Sequence, residues 1–278
     1  MDTTKLKDKL NGKLKPKQSK PVEVNTQEEG TVSTMENATV NTVAESMALM
    51  PVASNYVALT SDALGIISEN LKNQQLSTAL FDVVKSPSGG TTAFTVPGLS
   101  GDEIEKELTG IILDYTTPRA YWDTPDPVEG TPPVCYSNNS TVSFEGQPCS
   151  QCQYNDFGSK NGGETNAKAC KESVCIFLLR QDNILPLVVR VPVSSKMLFM
   201  KYATRLVSSL TPICGVTTKI TLEKATNKTG QPYAKFNFEA VNTLSQEETA
   251  TARAFGQKFM EIMNTADIQP VSVIAEAV

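Results

Sequence analysis

Four cysteines stand at a spacing that suits a metal. Thirteen residues separate Cys135 from Cys149, two separate Cys149 from Cys152, and seventeen separate Cys152 from Cys170. A CxxC unit lets two thiolates reach one tetrahedral ion, and gaps of this size are ordinary for the other two ligands. The intervening stretches, 'YSNNSTVSFEGQ' and 'YNDFGSKNGGETNAK', are polar, Gly-rich and poor in core residues. Burial cannot hold such loops, so a metal would supply their folding energy. The pattern therefore predicts a structural Zn2+ bound by Cys135, Cys149, Cys152 and Cys170. Scattered core or surface cysteines are one competing reading, opposed by the scarcity of apolar neighbours. A redox CxxC is another, but no helix start follows it. Cys175 in 'SVCIFLL' and Cys214 in 'TPICGV' read as core residues. Cys175 is the rival to Cys170 as fourth ligand. Four thiolates leave no open coordination position, so the site reads as structural, not catalytic.

The rest of the composition narrows the chemistry. The 278 residues include no histidine, which excludes Ser-His-Asp and Cys-His catalysis and any His-ligated metal. No acidic pair stands at a telling spacing, so no enzymatic activity is expected. Non-specific binding of single strands needs cations along a groove and aromatic faces for bases. Two stretches offer both. 'YTTPRAYW' carries Tyr115, Arg119, Tyr121 and Trp122, and 'TKITLEKATNKTGQPYAKF' carries Lys219, Lys224, Lys228, Tyr233 and Lys235. Packing at a domain edge explains Tyr121 and Trp122 as well as stacking does, and a solvated strand face explains the lysines. Arg180, Arg190, Lys201 and Arg205 are further basic candidates. The net charge of −5 weighs against strong DNA binding unless the cations cluster in space.

These residues need elements to position them. Residues 1–50 lack any sustained period and read as a disordered arm, basic over 'KLKDKLNGKLKPK' and a candidate for self-association. The core domain spans 51–265, with a zinc subdomain inserted at about 131–175, and 266–278 is a tail. Residues 56–80 predict a helix, and 'DVVKSPSGGTTAFTV' a strand, turn and strand. Residues 103–122 predict one long bent strand, ended by the Pro-rich 'DTPDPVEGTPP'. After the cysteines, 'VCIFLLRQDNILPLVVRVPV' predicts a hairpin turning at Asp182-Asn183. An amphipathic helix capped by Ser194 or Ser195 follows. A second hairpin turns at 'NKTGQP'. A last helix runs from Gln246 to Met263, behind a capping box of Ser245 and Glu248. The class is mainly β with helices (α+β), and an OB-like antiparallel barrel is the expected architecture. No apolar run is long enough to span a membrane and no secretory signal precedes the arm, so a cytoplasmic location in a bacterial host is expected.

The stretch 'TPPVCYSNN…PCSQCQYNDFGS…AKACKESVCIFLLRQDNILPLVVRVP…KYATRL…GVTTKITLEKATNKTGQPYAKFNFEAV', with the upstream 'RAYW', resembles a group of phage and prophage zinc-cysteine proteins. The layout is similar, more loosely, to the zinc-containing single-stranded-DNA-binding proteins of T-even phages. Those proteins carry a 'CPxCQY' unit where this chain has 'CSQCQY', Cys149 to Tyr154. That family uses a histidine ligand, so Cys135 stands in its place here, and its strongly acidic tail is absent. The resemblance implies a phage protein that binds single-stranded DNA in replication or recombination. The alternatives are a zinc-stabilised accessory protein that binds a recombinase, integrase or polymerase, and a virion component.

Overall fold

The computed structural model describes Tyr56 and residues 61–72, 74, 80–124, 131–160, 166–227 and 230–265. The chain divides into two units, Met1–Thr42 and Val43–Val278, and all described residues belong to the second. The basic arm, Lys228 and the tail at 266–278 lie outside the described residues.

Strand β8 (Val174–Leu179) is buried at every position. A strand's period of two sends Val174, Ile176 and Leu178 to one face and Cys175, Phe177 and Leu179 to the other. Both faces are apolar, so both must be covered. Helix α2 (Val193–Ser208) covers the first with Phe199, Tyr202 and Leu206. Helix α3 (Gln246–Thr265) covers the second with Phe255, Phe259 and Met263. Gly256 lets α3 approach closely: a Cβ there would lie 2.8 Å from the Leu113 carbonyl oxygen.

Around β8 the other strands form a six-stranded sheet in the order β1-β9-β8-β4-β10-β11. They span Val83–Val84 (β1), Glu107–Thr116 (β4), Leu187–Val191 (β9), Val216–Thr226 (β10) and Pro232–Thr243 (β11). Strand β1 pairs with β9 in parallel, and every other pairing is antiparallel. The sheet is open, with β1 and β11 as its edges. No closed barrel is found among the described residues, which corrects the expected barrel architecture. The mixed α+β class, mostly sheet, stands. The physical reason lies in β8 and its neighbours: strands buried on both faces form the middle layer between two helices, whereas a small barrel buries one face only.

Both hairpins form where expected, with Asp182 at φ 61° in the first turn. The α3 capping box is complete: the Ser245 amide donates to Glu248 Oε2 at 2.8 Å, and the Glu248 amide to Ser245 Oγ at 3.2 Å. Three local expectations change. Pro192, not a serine, precedes α2; Ser195 is buried and accepts the Phe236 amide at 3.1 Å. The first helix, α1, spans only Ser61–Leu71. The long strand over 103–122 is three strands: β3 (Glu103–Glu105), paired with β2 (Phe94–Val96), then β4, then β5 (Arg119–Tyr121). Pro118 marks the break between β4 and β5, where a residue with no amide donor cannot continue a ladder. The break carries the chain out of the main sheet and into a second one.

Candidate metal centre

Strand β5 is the centre of a three-stranded sheet in the order β6-β5-β7. Strands β6 (Cys135–Ser137) and β7 (Lys171–Glu172) flank it. Tyr121 pairs with Cys135, and Arg119 with Ser137 and Glu172. Cys170 directly precedes β7. The period of two in β5 therefore separates 'RAYW' into two faces. Ala120 and Trp122 turn inward to a small apolar cluster with Tyr136. Arg119 and Tyr121 turn toward the cysteines.

The remaining two cysteines come from the segment between β6 and β7. A ribbon of backbone bonds, Ser143 to Gln147 at 2.8 Å and Cys149 to Thr141 at 2.8 Å, brings the chain back on itself. Gly146 makes its turn at φ +80°, a conformation that favours glycine. Cys149–Gln151 then forms a single 3-10 turn after Pro148, and Cys152 closes it. The Asn155 side-chain amide donates to the Cys149 carbonyl at 2.9 Å, and the Cys170 amide donates to the Tyr154 carbonyl at 2.8 Å. The Tyr154 ring stacks on Tyr121 with centroids 3.8 Å apart.

These pieces enclose a cavity of about 300 Å³ lined by Cys135, Cys149, Cys152 and Cys170, together with Arg119, Tyr121 and Tyr154. Burial raises the Cys135 thiol above its ordinary range, and Cys152, Cys149 and Glu145 raise it further. Burial pushes Cys170 up to about 12, against the pull of the Arg119 charge and with the other three cysteines adding to the rise. Yet among the described residues no three His, Cys, Asp or Glu side chains are gathered into a ready metal cage. Protonated thiols do not attract one another, so nothing in the polypeptide alone draws four of them to a point. A metal does so by displacing their protons. Four cysteine side chains are a donor set of the kind that binds Zn2+ tetrahedrally, and all four line this one cavity. Cys175 is buried in β8 on the α3 face, and Cys214 belongs to the same core. Neither lines the cavity.

The residues expected to meet nucleic acid fall into two groups. Tyr115 packs edge-on against Phe199 at 4.8 Å, and Trp122 is buried, its indole N–H donating to the Thr131 carbonyl at 2.9 Å. Arg119 is buried and paired with Glu172 at 3.2 Å. Lys219, Lys224, Tyr233 and Lys235 lie on the second hairpin. There the alternation of β10 puts Lys219 and Lys224 on opposite faces. Lys219 pairs with Glu239 at 2.9 Å, and Lys235 with Glu223 at 3.4 Å. Arg180 pairs with Glu105 at 2.9 Å, Arg190 is buried, and Lys201 and Arg205 are exposed on α2. The named cations and aromatics do not share one face. Sequence reasoning missed Tyr154, two residues after Cys152, and Glu172. The exposed rings of Phe144 and Phe157 on the insert were also unremarked.

No family model matches the chain, and neither does any curated protein or solved structure. Among the described residues no helix is long and apolar enough to cross a membrane.

Proposed function

We propose that this chain is a non-enzymatic binding protein built around a structural zinc, and that its ligand is single-stranded DNA handled in phage replication or recombination. The observation that carries the zinc is the shared cavity: four cysteines from three separate stretches of chain line it. Cys135, Cys149, Cys152 and Cys170 would hold the ion. Bound there, zinc supplies cross-links to a segment with almost no core of its own. The DNA reading draws its support from the aromatic side chains of the same insert, where Phe144 and Phe157 are 52% and 74% exposed and every base offers a face to stack on.

A second reading has its own observation. Lys219 and Lys235 each face a glutamate across the strand pair, which leaves that face without a surplus of positive charge. This favours the zinc-stabilised accessory protein, which docks on a replication or recombination protein and touches DNA only indirectly. Two measurements decide. Elemental analysis of the purified full chain is expected to find one zinc per chain; none would end the zinc reading. Oligo-dT is expected to bind more tightly than duplex of equal length, with a log–log salt slope of roughly −0.7 per phosphate neutralised. Absence of any retention at low salt would leave the accessory reading in its place.

A further inference from the structure

Arg119 has a side chain only 9% exposed, and an arginine is seldom buried unless it is paired. One of its terminal nitrogens, Nη2, is accounted for by Glu172 at 3.2 Å. Glu172 in turn binds the Lys196 ammonium on α2. The other two guanidinium nitrogens, Nε and Nη1, are buried and have no hydrogen-bond partner. Buried guanidinium N–H groups left unpartnered are costly, and such groups are uncommon in native proteins. The same side chain lines the cysteine cavity. Strand β5 puts it there: Arg119 and Tyr121 share the cysteine-facing side, and Tyr121 is paired with Cys135.

A zinc ion bound by four thiolates carries a net charge of −2, from +2 on the metal and −1 on each sulfur. Buried negative charge needs a buried positive neighbour and donors for the sulfur lone pairs. We infer that Arg119 is the outer-shell partner of the zinc site, its free Nε and Nη1 donors directed to the thiolates and its charge offsetting theirs. Glu172 and Lys196 hold the guanidinium in that orientation and tie the insert to α2 of the main domain. This rests on the zinc reading. It makes Arg119 a positioning residue, unavailable to phosphates.

Arg119→Gln and Arg119→Lys in the full chain test it, by competition for Zn2+ against a chromophoric chelator and by the Co2+ absorption spectrum of each protein. Losing an outer-shell partner of a metal site lowers affinity by about 10–100-fold, which is expected for Arg119→Gln. Arg119→Lys keeps the charge but not the fork, so a smaller loss is expected, together with a shift of the thiolate-to-Co2+ charge-transfer band as hydrogen bonds to sulfur disappear. Wild-type affinity in Arg119→Gln overturns the inference while leaving the zinc site standing. A wild-type chain that takes up no zinc overturns both. Should Arg119→Gln fail to fold, Arg119→Lys decides: unchanged affinity with an unshifted band overturns the assignment.

Discussion

The six-stranded domain and the cysteine insert are stabilised by opposite means. The domain buries apolar side chains on both faces of one sheet, with aromatic contacts such as Phe177 on Phe259 at 5.4 Å binding strand to helix. Among the described residues the insert has three strands but an apolar cluster of only Ala120 and Trp122, with Tyr136 beside them. Its other described residues form turns, hydrogen bonds and the cysteine cavity. A sheet of that size with so little core is marginal by itself. Under the zinc proposal, a region held by burial is joined to one that an ion would hold.

Metal removal exposes the difference most strongly. Structural zinc in small cysteine sites is worth on the order of 10 kcal/mol of binding free energy, and that energy is folding energy. Chelation is therefore expected to open residues 131–172 to proteolysis while the far-UV circular dichroism of the main sheet persists. Trp122, the single tryptophan, packs in the insert and reports the change by fluorescence. Loss of the whole circular dichroism signal on chelation would erase the comparison.

A cavity in the main core does the converse. Phe236 is fully buried between Phe94 and Phe238, at 5.7 and 6.3 Å. Phe236→Ala is expected to cost about 3–5 kcal/mol in urea denaturation, with zinc affinity unchanged.

Alkaline pH separates the chelated protein from the zinc-loaded one. The Cys170 thiol of the metal-free fold lies near 12 against an ordinary 9.0, so the folded state binds its proton more tightly than the unfolded chain does. Its contribution is intact below pH 9 and is lost as pH rises from 9 toward 12. Zinc binds the thiolate, so affinity for the metal rises over the range in which the thiols ionise. Thermal melts of the chelated and zinc-loaded proteins should diverge above pH 9, and parallel curves would remove Cys170 from the site.

The smallest effect is at the α3 terminus. Ser245→Ala removes one side of the capping box and is expected to cost about 1 kcal/mol of global stability without altering metal binding.

The sequence alone determined those features whose causes are local. The alternation of 216–226 against 232–243, the capping box at Ser245 and Glu248, and the uninterrupted apolar run of β8 are each written in neighbouring residues, and each took the expected form. The CxxC and its flanking cysteines were legible as one group because their spacing is one that metal sites use, and all four line one cavity. Only tertiary structure decided the rest. That β8 is covered on both faces, and so sits in an open sheet, follows from where α2 and α3 return, tens of residues away. The fate of 'RAYW' depended on which strands flank it. A β strand carries its side chains to two faces alike, and nothing in those four residues says which face meets thiols and which meets apolar neighbours. Pairing with Cys135 and Glu172 made that choice, turning Arg119 toward the cysteines and burying Trp122 behind them.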